Sequence, residues 1–340
     1  MKSQDSKPQV TPERIMQFMW GYAPPLILEA AVRHRVFDVL DKGPATVEQL
    51  SRETGASVRG LRALMNALVG LELLARDAQG RYSLTPESAT YLVRGKPAYR
   101  GGMLMHTSTQ LLPKWMQLTE IVRSGKATAS VNREDGGAAF FEQFVEDLFP
   151  FNYATAQTLA GVLGVAEAKK PVRVLDLAAG SGVWGIALAE NSPQVRVTAV
   201  DWPSVLAVTR RVAERQGVAD RFQFVAGDLH AVDFASGHDI AIFGHILHSE
   251  GAARSRRLLQ KTFAALAPGG TAVIAEFLVN EERTGSPTGL IFGVNMLVNT
   301  DEGDTFSFGE IRRWLEEAGF RDARTVECPG PSPLILATKP

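Results

Sequence analysis

Apolar and polar positions follow two rhythms along this chain. From Val172 onward, apolar runs of strand length take turns with stretches of helical periodicity. The pattern predicts strands over 172-177, 195-200, 222-226, 239-243 and 271-278, helices over 183-191, 203-216, 251-267 and 307-318, and a closing pair of strands near 322-328 and 333-338. Strands that alternate with helices predict an α/β fold: a doubly wound, mostly parallel sheet with an antiparallel last strand. Pro268-Gly269-Gly270 is expected to stop the helix before it sharply.

The N-terminal part keeps mainly to the helical rhythm. Thr11 to Leu40 reads as helical and apolar, broken at Pro24-Pro25, and its Ile15, Met16, Met19, Trp20, Leu26 and Ile27 outnumber what one domain exposes singly. An interface is their expected use. Thr46 is placed to cap a helix over Val47 to Glu53 that Gly55 stops. Ser57 caps the next helix, where Leu61, Leu64, Met65 and Leu68 recur at helical spacing. Leu73 to Arg76, a turn at Asp77 to Gly80, and Arg81 to Leu84 then predict a β-hairpin, so this part reads as a winged helix. From Gly101 to Gly164 the pattern is helical again, and Trp115, Phe140, Phe141, Phe144, Phe149 and Tyr153 exceed the needs of the sheet. Some of them are expected to line a pocket for a small-molecule acceptor. The small, polar loop Ser124 to Gly137 is expected to be mobile. The expected divisions are 1-100, 101-165 and 166-340.

Composition narrows the possible functions. The chain has 340 residues, 45% of them hydrophobic and 21% charged, with a formal net charge of -1. That balance offers no electrostatic footprint for nucleic acid or an anionic membrane. Met1 to Val10 is polar and disordered in character, and the longest apolar runs are strand-sized. Neither a signal peptide nor a membrane span is expected, which points to a cytoplasmic protein. A single cysteine, Cys328, leaves no intrachain disulfide and no thiolate metal cluster.

The candidate chemistry begins at Val172 to Gly182, an apolar run ending in Asp176 and then a small-residue turn with Gly180 and Gly182. Strand, glycine turn and helix in that order form the nucleotide-cradling unit of open α/β sheets. Gly180-Ser181-Gly182-Val183-Trp184-Gly185 has the spacing of a dinucleotide loop, but a buried carboxylate at Asp176 is unsuited to a pyrophosphate. It suits a ligand with an amine and a sulfonium. Asp201, about twenty residues past the turn, is placed to accept ribose hydroxyls, and Trp202 beside it is counted with the same site. Asp228, at the end of the third strand, can take an adenine amino group while Leu229 packs on the ring.

These residues resemble the class I S-adenosylmethionine-dependent methyltransferases, with Ala178 and Ala179 where many members carry glycine. The resemblance implies S-adenosylmethionine as cofactor, a Rossmann-like seven-stranded sheet, and cofactor contacts at Asp176, Gly180, Gly182, Asp201, Trp202, Asp228 and Leu229. Ile246-Leu247-His248 further resembles the Leu-His element of the plant-type and bacterial small-molecule O-methyltransferases, with Ser249-Glu250 where members commonly have Asp-Trp. That likeness implies that His248 takes the proton of an acceptor hydroxyl. Glu276, 28 residues later, would orient it. The family's second acidic residue corresponds to Thr305, beside Asp304. His245 is a candidate for lining the pocket, whereas His106 and His230 are expected to be ordinary. The family also implies an aromatic acceptor on a secondary-metabolite scaffold, no metal, and a homodimer formed through the winged-helix domain.

Four rival readings accompany this one. A winged helix can bind DNA, but its second helix offers only Arg59, Arg62 and Asn66 among Glu48, Glu53 and Glu72, a sparse charge for phosphate contacts. Some relatives of the architecture methylate carbon on a large ring, and a cofactor-binding regulator without catalysis is a further alternative, against which His248 and Glu276 at the family spacing both count. Metal-dependent catechol-type methylation is disfavoured because Asp239, His248 and Glu276 form no recognisable ligand spacing.

Overall fold

Residue by residue, the strand Val172–Leu177 shows how the sheet is covered on both faces. Val174 contributes to one buried cluster, Leu175 and Leu177 to another, as the two-residue period of a strand requires. The computed structural model describes residues 10–131, 134–330 and 332–340. Most of the polar start Met1 to Val10, and part of the loop Ser124 to Gly137, lie outside the described residues. The chain divides into two units, one ending at Leu111 and the other Leu112–Pro340.

In the first unit, helices Val47–Thr54 and Val58–Gly70 pack with the antiparallel hairpin β1 (Leu74–Arg76) and β2 (Tyr82–Leu84), the predicted winged helix. Their ends follow the sequence. Thr46 and Gln49 form a capping box, Gly55 closes the first helix at a φ of 73°, and Ser57 accepts from the Gly60 amide. Phe37, Leu50, Leu61, Met65, Leu68 and Tyr82 fill the core. Two polar groups of the second helix are engaged within the unit: Arg62 pairs with Glu48, and Asn66 accepts the Tyr82 hydroxyl at 2.6 Å. The break expected at Pro24-Pro25 falls earlier. The chain turns over Trp20 to Tyr22, and the prolines occupy the first turn of helix Ala23–Arg33, where a missing N–H costs nothing. Helix Glu13–Met19 buries no side chain, and Ile15, Met16, Phe18 and Met19 are all exposed.

The second unit contains β3 (Val172–Leu177), β4 (Val195–Asp201), β5 (Phe222–Ala226), β6 (His238–Gly244), β7 (Leu266–Ala275), β8 (Arg321–Val326) and β9 (Leu334–Thr338). They form one seven-stranded sheet in the order β5-β4-β3-β6-β7-β9-β8. All neighbours are parallel except at β9, which runs antiparallel to both β7 and β8. Helices Glu134–Val162, Val183–Asn191 and Pro203–Arg215 supply one face of the core, and Leu247–Ala265 and Phe308–Ala318 supply the other. Strand order reverses between β3 and β6, so the crevice for a ligand opens at the carboxyl ends of these strands.

Two local expectations are corrected, and one helix is added. The helix predicted over 251-267 starts at Leu247 and ends at Ala265, and it takes in His248, Ser249 and Glu250. It is kinked at Gly251 (φ 71°, ψ 169°), where a Cβ would sit 2.4 Å from the Glu302 carbonyl oxygen. Pro268-Gly269-Gly270 lies inside β7 rather than between elements, because Gly269 and Gly270 exchange backbone hydrogen bonds with Lys339. Helix Pro287–Asn299, capped by Ser286, was not predicted at all.

Candidate active site

The loop after β3 turns tightly, with Ala178, Gly180 and Gly182 at φ 52°, 57° and 78°. At Gly182 a Cβ would meet the Thr209 methyl at 2.8 Å, so only glycine allows the helix to start there. Asp201 holds this loop from the end of β4: Oδ2 accepts the Gly180 amide at 2.9 Å and Oδ1 the Trp202 amide at 2.7 Å. Burial lifts the Asp201 carboxyl to about 6 against the pull of those amides. Asp176 is fully buried. Its Oδ2 accepts the Gly185 amide at 3.0 Å, but Oδ1 has no partner. Burial, with the neighbouring charge of Asp201, pushes it up to about 7. A buried, unpartnered carboxylate oxygen beside a glycine turn fits a ligand that brings a cation and hydrogen-bond donors.

Asp228 and Leu229 follow β5. Asp228 accepts the His230 amide at 2.7 Å, and Leu229 is buried. Trp202 is half-buried, its ring 6.2 Å from that of Phe141.

The second cluster forms where β6 and β7 end. Gly244 is required because a Cβ would overlap the Trp184 indole. His245 follows in a left-handed conformation (φ 62°), tied by its amide to the Ala275 carbonyl. One turn on, His248 meets Glu276 twice: its amide donates to Oε1 at 3.1 Å, and its Nδ1 lies 2.7 Å from Oε2. Both side chains are buried. Burial alone would raise the Glu276 carboxyl; the charge and hydrogen bonds of His248, with the charge of His245, outweigh it and hold the group below the usual range. Burial drives His245 down to about 4, so its ring is neutral at physiological pH.

Aromatic rings enclose the pair. Phe292 stands edge-on to His248 at 4.9 Å, Phe277 lies 4.3 Å from Phe292, and His245 lies 5.0 Å from Phe277. The carbonyl of His248 accepts the Asp304 amide at 2.9 Å. The side chain of Asp304 turns to the Thr305 amide and toward Arg283, so neither residue supplies a second carboxylate to the imidazole.

Asp239 sits at the opposite end of β6, accepting the Arg173 amide. The triple Asp239, His248 and Glu276 is therefore not assembled. The described residues instead gather His245, His248 and Glu276, whose ligand atoms lie within 4.8 Å of one another. The Nδ1 of His245 is the buried atom of that set without a partner. His230, expected to be ordinary, contacts the buried carboxylate of Glu250 at 2.6 Å.

Residues 115–321 match the family profile described as the O-methyltransferase domain. The chain belongs to the O-methyltransferase family. Residues 16–94 of this O-methyltransferase match the family's dimerisation domain. It is 31% identical over 97% of its length to the tetracenomycin polyketide synthesis 8-O-methyl transferase of Streptomyces glaucescens, 97% of which is covered. It is 32% identical over 92% of its length to the 3-hydroxy-5-methyl-1-naphthoate 3-O-methyltransferase of Streptomyces sahachiroi, 91% of which is covered. A crystal structure of a candidate O-methyltransferase from Nostoc punctiforme superposes with a TM-score of 0.89 at 29% identity, over 97% of this chain and all of the other. The O-methyltransferase uses S-adenosylmethionine as its methyl donor. Membership selects the enzyme over the regulator, and oxygen over carbon as the accepting atom. Among the described residues, no helix is long and apolar enough to cross a membrane.

Proposed function

We propose that this enzyme methylates a phenolic hydroxyl of a polycyclic aromatic metabolite, with His248 as general base and Glu276 as the group that orients it. The observation that carries this reading is the 2.7 Å contact between His248 Nδ1 and Glu276 Oε2 inside an aromatic enclosure. A carboxylate on Nδ1 fixes the ring's orientation and tautomer, leaving Nε2 to accept a proton. Phe277 and Phe292 suit a flat acceptor through offset or edge-on stacking. The aromatic substrates in the two Streptomyces relatives' names favour the same class.

Asp176, Gly180, Gly182, Asp201, Trp202, Asp228 and Leu229 form the proposed cofactor site. Asp176 faces the ligand's amine, Asp201 the ribose hydroxyls, and Asp228 and Leu229 the adenine. The cofactor supplies a methyl carbon already activated by a sulfonium. The protein's task is then to exclude water, hold the acceptor oxygen in line with that carbon, and accept the hydroxyl proton at His248. The exposed apolar side chains of helix Glu13–Met19 would meet a second copy of the chain, in keeping with the matched dimerisation domain.

His248→Ala tests the base. Turnover should fall by about 10²–10⁴, while affinity for S-adenosylhomocysteine stays within about threefold. The loss should shrink for a more acidic phenol. Unchanged turnover at neutral pH would leave positioning alone to explain the rate.

A further inference from the structure

Glu250 stands where the family commonly has tryptophan, and the proposed transfer step does not use it. The residue is 5% exposed, an expensive place for a carboxylate unless its partners repay desolvation. The partners are present: Oε2 lies 2.6 Å from His230 Nε2 and accepts from Arg254 Nε at 2.7 Å. Burial would raise the carboxyl, but the hydrogen bonds of His230 and Arg254 outweigh it and hold the group low. Arg254 also reaches within 3.9 Å of Asp228. His230 is two residues past Asp228, and its amide donates to the Asp228 carboxylate. Further along the same helix, Lys261 donates to the carbonyls of Leu229 and Val232. One face of helix Leu247–Ala265 therefore grips the loop after β5 at three positions, and the helix carries His248 in its first turn.

We propose that Glu250 is a positioning residue for the adenine end of the cofactor, holding the loop Asp228 to Val232 against the helix that bears His248. This rests on the reading of Asp228 and Leu229 as the adenine contacts. Without the Glu250 tie the loop keeps only the Arg254 and Lys261 contacts, so part of the ordering of Asp228 and Leu229 falls to the ligand, and that cost appears as lost affinity. The chemical step, whose groups sit at the ends of β6 and β7, is unaffected.

The test compares two ligands on the full-length protein by calorimetry: S-adenosylhomocysteine, and its analogue with a keto oxygen in place of the adenine amino group. In the wild type the adenine form should bind more tightly; equal binding would overturn the Asp228 reading, and the proposal with it. Glu250→Ala should weaken S-adenosylhomocysteine by about tenfold and raise KM for S-adenosylmethionine equally, with kcat and the acceptor KM within about twofold. The analogue should lose much less. Glu250→Gln, which keeps shape and loses charge, should fall between. Equal losses for both ligands, or a fall in kcat without a change in KM for the cofactor, would overturn the proposal. Should Glu250→Ala not fold, His230→Ala removes the other end of the same contact and must show the same selective loss.

Discussion

Asp176 and Glu276 are both buried carboxylates at the carboxyl edge of one sheet, yet their pKa values are shifted in opposite directions. Asp176 keeps one oxygen without a partner and is pushed up to about 7; Glu276 spends both oxygens on His248 and is held low. The cost of desolvation is common to both, so the difference lies in what each carboxylate meets inside the protein. A group left incomplete by the fold is suited to receive a ligand, whereas one completed by the fold is suited to hold a side chain still.

The largest break in this contrast should come from Glu276→Gln, which preserves shape but removes the charge that holds His248. Turnover should drop by about 10–10³, less than for His248→Ala, with affinity for S-adenosylhomocysteine little changed in calorimetry. A smaller effect of a different kind is expected from Asp176→Asn. Removing the proposed charge-assisted contact to the ligand's amine should weaken S-adenosylhomocysteine by about 10–100-fold.

The smallest effects are on stability, and their signs oppose. Because the folded pKa of Asp176 lies above its ordinary 3.8, its contribution is fully present below that value and is lost as pH rises through about 7. For Glu276, folded below 4.5, the contribution is present above 4.5 and lost on acidification. Thermal melts of the ligand-free protein at pH 8 should therefore show Asp176→Asn at a higher Tm than wild type and Glu276→Gln at a lower one. Shifts of the same sign would remove the contrast.

The proposed cofactor side could be read as a candidate from the sequence because its signals are local. Asp176, Asp201 and Asp228 each end a short apolar run, and Gly180 and Gly182 mark the turn between period-two and helical patterns. The pairing of His248 with Glu276 was legible only through family resemblance, since it joins separate strand ends. Helix Pro287–Asn299 escaped because it is apolar on nearly all sides and so shows no periodicity, although Ser286 and Pro287 carried a start signal. Nor did sequence order reveal that Glu250 and His230 meet, because two elements that leave the sheet at different strands bring them together. At Pro268-Gly269-Gly270 the residue types favoured a stop, and pairing with Lys339 kept the backbone extended.

The kink at Gly251 also bears on what kind of vacancy His248 would leave. The helix is interrupted there, and the carbonyl of His248 is taken by the Asp304 amide, while its own amide is held by Glu276. The main chain of His248 is thus moored at both ends by groups that do not depend on the imidazole. Truncating the side chain leaves a mould of the ring, walled by Phe292 and floored by Glu276, and free imidazole supplied from solution has the size and the partner to fill it; under the proposed base role it should return part of the turnover.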